Sequence, residues 1–264
     1  MKVLVIPDIH GRKFWRKAIA DNIGLVDKVI FLGDYLDPYG NEIEDNPELM
    51  ECEHSYDARN LLKMLEDIIE LKKKEPKKYI LLTGNHTDSY IWSKFNAATR
   101  TDYRHWEGYH KFFSQNLNLF NLVWTEGNCI FSHAGISEEW SEVFAVRYNI
   151  EFKSLLGVAK ILQNIPVDEI HNSETLISLL GMISFYRGGN YNHGSCEWAD
   201  IREHMNIKES TSDNIISFVK EEGIYQIFGH TQVKVPLFSN NWACLDCRRA
   251  FIFDTETYEC NSCL

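Results

Sequence analysis

The chain has 264 residues, 44% hydrophobic and 25% charged, the balance of a soluble globular protein with room for a sizeable core. Its formal net charge of -11 has the wrong sign for sequence-independent nucleic-acid binding, which draws on Lys and Arg, so nucleic acid is not an expected partner. No run approaches the roughly 20 apolar residues of a membrane-spanning helix, and seven cysteines without an export signal are expected to be reduced thiols in a cytoplasm.

Lys2 to Ile6 reads as a short buried strand running into the turn Asp8-Ile9-His10-Gly11, with a helix over Lys13 to Asn22. Lys28 to Leu32 is a second buried strand, ending at Gly33-Asp34. The polar, acid-rich stretch from Pro38 to Tyr56 reads as a loop. Apolar residues at Ala58, Leu61, Leu62, Leu65, Ile68, Ile69 and Leu71 place an amphipathic helix over Ser55 to Lys74. Tyr79 to Leu82 is a third strand, ending at Gly84-Asn85-His86. An aromatic-rich helical region covers Ile91 to Asn116. Cys129 to Ser132 is a fourth strand, ending at His133-Ala134-Gly135, and Ser137 to Leu180 is mostly helical. Tyr225 to Phe228 is a further strand, ending at Gly229-His230-Thr231, and Ala243 to Glu259 suggests a hairpin around Thr255-Glu256. With no repeat, low-complexity tract or linker, a single domain over 1–264 is the simplest organisation.

Five apolar strands thus each end in a small residue and a metal-competent side chain. In open α/β sheets, sites form at the carboxyl ends of strands, so Asp8, His10, Asp34, Asn85, His133 and His230 are expected at one edge of one sheet. Asp and His together suit Mn, Fe or Zn. Asp8 and His10, two apart in a turn, can reach one ion. Asp34 is the natural bridge, and Asn85, His133 and His230 supply a second ion. Two ions about 3.5–4 Å apart lower the pKa of a bridging water and clamp a phosphoryl oxygen. His86, beside Asn85, is then free to protonate a leaving oxygen.

The ordered set Asp8-Ile9-His10, Gly33-Asp34-Tyr35-Leu36-Asp37, Gly84-Asn85-His86, Ser132-His133-Ala134-Gly135 and Gly229-His230-Thr231 resembles the five signature blocks of calcineurin-like metallophosphoesterases. It is most similar to the branch of serine/threonine protein phosphatases and their bacterial and phage relatives, including dinucleoside polyphosphate hydrolases. The resemblance implies a four-layer αββα sandwich of two mixed β-sheets with the metals at one edge. It assigns Asp8, His10 and Asp34 to the first metal, and Asp34, Asn85, His133 and His230 to the second. It makes His86 the general acid, oriented by Asp37, with a metal-bridging hydroxide as nucleophile.

By the same resemblance, Tyr186-Arg187-Gly188-Gly189 and Cys196-Glu197-Trp198-Ala199-Asp200 line the substrate cleft, with Arg187 as a phosphate clamp. The sequence departs from the pattern in three places. Pro38-Tyr39 follow Asp37 where protein phosphatases have Arg-Gly, so one phosphate-binding arginine is missing there and Arg100 or Arg104 is the candidate replacement. Thr87 stands where an acid usually follows the Asn-His pair. Gln232 stands where many phosphodiesterases place a further metal-binding His, which favours the phosphatase-like branch.

His54, His105, His110, His171 and His204 read as solvated or structural, whereas His193 falls in the cleft loop. Cys244-x-x-Cys247 and Cys260-x-x-Cys263 have the spacing of a structural zinc site, with buried free thiols as the other reading. The expected activity is hydrolysis of phosphate monoesters, on phosphoproteins or small phosphorylated metabolites. A dinucleoside polyphosphate hydrolase or phosphodiesterase, with Trp92, Trp106 and Trp198 as candidate base stackers, is the alternative within enzymes. A binding module that has lost catalysis is the alternative outside them.

Overall fold

The computed structural model describes residues 1–40, 50–52, 55–91, 98–204 and 223–263. In chain order the elements begin with β1 (Lys2–Ile6), α1 (Phe14–Asn22), β2 (Lys28–Phe31), β3 (Met50–Cys52), β4 (Ser55–Tyr56), α2 (Ala58–Lys74), β5 (Tyr79–Leu82), α3 (Asn85–Ile91) and α4 (Trp106–Ser114). There follow β6 (Phe120–Asn121), β7 (Val123–Glu126), β8 (Cys129–Ser132), α5 (Glu138–Arg147), α6 (Leu155–Gln163), α7 (Glu174–Leu180), α8 (Ile201–His204), β9 (Tyr225–Phe228), β10 (Leu237–Phe238), β11 (Trp242–Cys244), β12 (Phe251–Asp254) and β13 (Cys260–Ser262). Side-chain caps fix several helix starts. Asp57, Ser137, Ser154 and Ser173 each accept a backbone N–H from the first turn of α2, α5, α6 and α7. Lys72, Lys73 and Lys74 close α2 at the end where the helix dipole favours positive charge.

Two mixed sheets result. The first has the order β13-β12-β1-β2-β5-β6 and the second β10-β11-β9-β8-β7. In the first, β1, β2, β5 and β6 run parallel, with β12 antiparallel to β1 and β13 antiparallel to β12 at one side. In the second, β8, β9 and β11 run parallel between antiparallel β7 and β10.

The period-2 alternation of each strand makes the layers. Val3, Val5, Ile30, Leu32, Ile80 and Leu82 from the first sheet meet Cys129, Phe131, Tyr225, Ile227 and Ala243 from the second in one buried cluster between the sheets. The alternate residues Leu4, Ile6, Val29, Phe31, Tyr79, Leu81 and Ile130 face outward into the helices, α1 against β1, α2 against β5 and α6 against β7. The architecture is therefore α/β, helices outside two stacked mixed sheets, as the sequence resemblance implies. No helix among the described residues is long and apolar enough to cross a membrane.

Several boundaries differ from the sequence expectation. The C-terminal hairpin is shorter than Ala243 to Glu259. Trp242–Cys244 pairs in parallel with β9 in the second sheet, and only Phe251–Asp254 and Cys260–Ser262 pair with each other. The aromatic region is not one helix: α3 starts at Asn85 itself, and 98–105 is a chain of turns before α4. Within the expected loop, Met50–Cys52 and Ser55–Tyr56 form a two-stranded ribbon, while 41–49 and His54 lie outside the described residues. The ligand-bearing strands also divide between the sheets, β1, β2 and β5 in one and β8 and β9 in the other, so the single sheet edge expected above is instead the rim where two sheets meet.

Gly108 sits exposed inside α4, and a Cβ there meets nothing within 4 Å. Gly108→Ala should stabilise the protein by about 0.5–1 kcal/mol, read as a rise in the denaturation midpoint, because it lowers the entropy of the unfolded chain.

Candidate metal centre

Short turns at the carboxyl ends of the central strands carry the site. The turn after β1 is clamped to the turn after β2 by backbone bonds from Ile9 and His10 to the Asp34 carbonyl (3.1 and 2.9 Å) and from Gly11 to the Tyr35 carbonyl (2.9 Å). Across the sheets, both oxygens of Asp8 accept the His230 backbone N–H at 3.1 Å, and Gly229 N–H donates to the His133 carbonyl at 2.8 Å. The first residue of one sheet's turn thus holds the last turn of the other. His10, Asp34, Asp37 and His230 all have left-handed backbone, with φ of 42°, 47°, 61° and 62°. Such conformations cost energy for non-glycine residues and persist where the surrounding structure over-determines them, as at functional sites.

The side chains converge in two groups with one member in common. His10, Asp34 and His86 offer ligand atoms within 4.8 Å of one another, and so do Asp34, His133 and His230. Asn85 joins the second group, its Oδ1 3.0 Å from His133 Nε2, which is also 3.0 Å from His230 Nδ1 and 3.3 Å from Asp34 Oδ2. Asp8, expected in the first group, is engaged by the His230 N–H and stands outside both triads. His86, expected only as a proton donor, falls inside the first.

The hydrogen bonds fit a cation. His10 Nδ1 faces the Leu36 carbonyl (2.6 Å) and His133 Nδ1 the Leu32 carbonyl (3.0 Å), so each ring spends its Nδ1 proton on the backbone and turns Nε2 toward Asp34. Around His133 Nε2 this gathers the carboxylate, the Asn85 oxygen and an imidazole nitrogen, electron-rich atoms that need a positive charge between them. His230 Nε2 is buried with no hydrogen-bond partner among the described residues.

The electrostatics agree. Burial lowers the proton affinity of His133, but the charges of Asp34 and Asp8 outweigh it and carry its pKa up to about 10. Burial raises Asp34, but His133 and His86 outweigh it and hold the carboxyl well below its usual range. Burial, followed by the positive charge of Arg187, drives His230 well below the ordinary imidazole value, and burial with His86 does the same for His10. These residues fit a pair of metal ions sharing Asp34.

Beside the groups, His86 Nδ1 lies 2.6 Å from Asp37 Oδ2, and both side chains are buried. Arg187 is held by an ion pair from Nε to Asp200 (2.7 Å) and by Nη2 bonds to Thr231 Oγ1 (2.5 Å) and the His230 carbonyl (3.3 Å). It stands against His230 of the second group, and much of its donor capacity is already used. Arg100 lies at the opposite side. Its Nε donates to the Asp37 carbonyl (3.2 Å) and its guanidinium sits 3.7 Å from the centre of the Tyr39 ring. The Arg104 backbone N–H bonds Asp102 Oδ1.

Two charged residues near the site were given no role in the sequence reading. Asp246 follows β11 as the candidate ligands follow their strands, and burial together with Asp8 pushes its carboxyl pKa well up. Buried Arg12 donates to the Asp8 carbonyl (3.0 Å) and supplies positive charge toward Asp246.

Of the remaining sequence candidates, Trp198 lies beside the second group. His193 Nδ1 is 3.9 Å from Glu139 rather than in either group. Trp106 stacks on His110 and bonds the Ser89 carbonyl, Trp198 is buried with its edge toward His230, and Trp92 lies outside the described residues. The four C-terminal cysteines do not assemble as a zinc site. Cys244 belongs to the cluster outside the second sheet, Cys247 and Cys260 to the layer between the sheets, and Cys263 packs against the outer core. Cys244 stands apart because β11 pairs with β9, whereas Cys247 and Cys263 lie within electrostatic reach of Cys260, and among the described residues no candidate ligand group contains a cysteine.

The model of the calcineurin-like phosphoesterase family matches residues 1–234. The chain belongs to that family. It is a hydrolase of the metallophosphoesterase type, and members of the family typically hold a dinuclear metal centre. No curated protein matches the chain. Among solved structures, a cold-active protein tyrosine phosphatase is 15% identical with a TM-score of 0.53, over 99% of this chain and 78% of that one. A protein serine/threonine phosphatase from Saccharomyces cerevisiae is 13% identical with a TM-score of 0.48, over 93% of this chain and 66% of that one. At 15% identity the first likeness speaks for a shared fold alone and not for a substrate.

Proposed function

We propose that this metallophosphoesterase hydrolyses phosphate monoesters, on phosphoproteins or small phosphorylated metabolites. Asp8, His10, Asp34, Asn85, His133 and His230 hold two ions drawn from Mn, Fe and Zn. The observation that carries the reading is the double membership of Asp34, whose carboxylate belongs to both ligand groups. When bound, the ions lower the pKa of a shared water and neutralise charge on the phosphoryl group.

The protein's own residues supply the rest. Asp34 Oδ1 accepts the His86 backbone N–H at 2.9 Å, which ties the proton donor to the carboxylate common to both ligand groups. Asp37 holds His86 by Nδ1, so the opposite ring nitrogen is the one left to protonate the leaving oxygen. Arg187 and Arg100 flank the two groups and orient the phosphoryl oxygens. Gln232 is exposed, which supports a monoesterase over a diesterase with a further histidine ligand at that position.

The test is side-by-side hydrolysis of p-nitrophenyl phosphate and bis-p-nitrophenyl phosphate with added Mn²⁺, for the wild type and His86→Asn. The expected result is monoester preference, with the variant slower by roughly tenfold, short of the full 10²–10⁴-fold of general-acid catalysis because p-nitrophenolate needs little protonation. Diester preference would move the protein to the phosphodiesterase alternative. Absence of metal-dependent turnover on either ester would favour the non-catalytic binding module.

A further inference from the structure

Tyr90 lies one helical turn after His86 in α3, so both side chains leave the same face of the helix. Both reach the same carboxylate. His86 Nδ1 takes Asp37 Oδ2, and the Tyr90 hydroxyl takes Asp37 Oδ1. The direction of the second bond is fixed by a third. The Tyr90 oxygen accepts the Asp102 backbone N–H at 2.7 Å, so its single proton goes to Asp37. Tyr90 is fully buried, with the Tyr109 ring edge-on at 5.0 Å and Phe113 stacked at 6.4 Å, which blocks rotation of the phenol.

The turns at 98–105 brace Asp37 a second time through the Arg100 bond to its carbonyl, which holds the left-handed backbone of that residue. Nothing in the sequence motif names Tyr90, since its partner is 53 residues away.

We propose that Tyr90 is a positioning residue for the proton donor: its hydroxyl fixes the Asp37 carboxylate, and through it the ring and tautomer of His86. The inference rests on His86 acting as the proton donor. With the Tyr90 hydroxyl bonded to Oδ1, Asp37 presents Oδ2 to Nδ1–H in one orientation, and the imidazole is aligned before substrate arrives. Without it, Asp37 keeps a buried oxygen with one donor fewer and has room to rotate, and His86 loses its fixed aim.

Such a loss falls on the protonation of the leaving group and not on phosphate binding. It therefore depends on how much the leaving group needs a proton. p-Nitrophenolate leaves readily without one, whereas phenolate does not.

The experiment compares kcat and KM for p-nitrophenyl phosphate and phenyl phosphate, with Mn²⁺, in the wild type, Tyr90→Phe, His86→Asn and Tyr109→Phe. For Tyr90→Phe, kcat on p-nitrophenyl phosphate should stay within about threefold of wild type while that on phenyl phosphate falls about tenfold, with KM unchanged on both. His86→Asn should show the same selectivity more steeply. Tyr109→Phe removes a buried hydroxyl that has no hydrogen-bond partner among the described residues, from the ring packed on Tyr90, and should leave the ratio unchanged.

The ratio of the two rates is independent of the folded fraction, so partial misfolding of Tyr90→Phe cannot imitate the selective loss. An equal loss on both substrates, a loss confined to KM or no loss overturns the role of Tyr90 while a selective His86→Asn leaves the proton-donor reading standing. An unselective His86→Asn, or a wild type inert on both esters, overturns that reading and this inference with it.

Discussion

Asp34→Asn should lower kcat for p-nitrophenyl phosphate by roughly a thousandfold or more and reduce the bound metal below two equivalents. The substitution is nearly isosteric, so the effect isolates the charge. Asn keeps an oxygen for the His86 backbone N–H, now received by Asp34 Oδ1 at 2.9 Å. What it loses is the anionic oxygen 3.3 Å from His133 Nε2 and 3.8 Å from His10 Nε2, where the two ligand groups join. Each group then keeps its two imidazoles, with Asn85 beside the second, and Asp8 is left as the remaining carboxylate among the proposed ligands. Metal ions supply several kcal/mol of transition-state stabilisation in phosphoryl transfer, and about 1.36 kcal/mol is tenfold in rate, which gives the magnitude. Metal stoichiometry by elemental analysis after gel filtration, measured beside turnover, checks both halves. Full occupancy with activity within tenfold of wild type would remove Asp34 from the bridging role and separate the two groups.

The fold was legible where the chain is most regular. The runs Lys2–Ile6, Lys28–Phe31, Tyr79–Leu82, Cys129–Ser132 and Tyr225–Phe228 are short, apolar and punctuated by glycine, and each is a strand within one residue of its expected limits. Their division between two sheets was not legible from pattern alone, because strands buried on both faces look alike whichever sheet they join. The crossing is made at Phe120–Asn121 and Val123–Glu126, elements of two and four residues with Leu122 between them, too short to show a period.

The side chains that gather in the two groups were legible as candidates because each stands within four residues of a strand's end. Two features of the candidate site were not. One is the membership of the first triad, where His86 stands and Asp8 does not, since this depends on which way a turn aims its side chains. The other is the support around Asp37. Tyr90 and Arg100 lie 53 and 63 residues away in a segment whose aromatic content suggested only a packed helix. The cysteine pairs show the reverse error. Their spacing is that of a metal site, but strand pairing sends Cys244 and Cys260 to different sheets.

Gly84→Ala should cost about 1–3 kcal/mol of stability and weaken metal binding, although the change adds one methyl group. Gly84 closes β5 immediately before Asn85, where the two sheet rims pinch together. A Cβ there falls 2.5 Å from Asp34 Oδ1 and 2.9 Å from both the Asp34 backbone nitrogen and His133 Nδ1. Two of those atoms cannot swing aside cheaply. The Asp34 nitrogen is main chain in a left-handed turn, and His133 Nδ1 is held by the Leu32 carbonyl at 3.0 Å. Relief therefore has to come from the Asp34 carboxylate or from β5 itself, and either movement opens the space between the ligand groups.

At about 2–4 °C per kcal/mol for a chain of this size, the melting temperature of the metal-free protein should fall by roughly 2–12 °C. Gly24→Ala is the control, because a Cβ there meets nothing within 4 Å. The same crowding operates at Gly229, where a Cβ lies well inside van der Waals contact of Asp8 Oδ1. The glycines that precede Asn85 and His230 are therefore part of the binding geometry: they let carboxylate oxygens approach the backbone of the opposite turn. A Gly84→Ala protein with wild-type melting and wild-type metal affinity would show that the two rims have slack between them, and the closeness of the two triads would then need another cause.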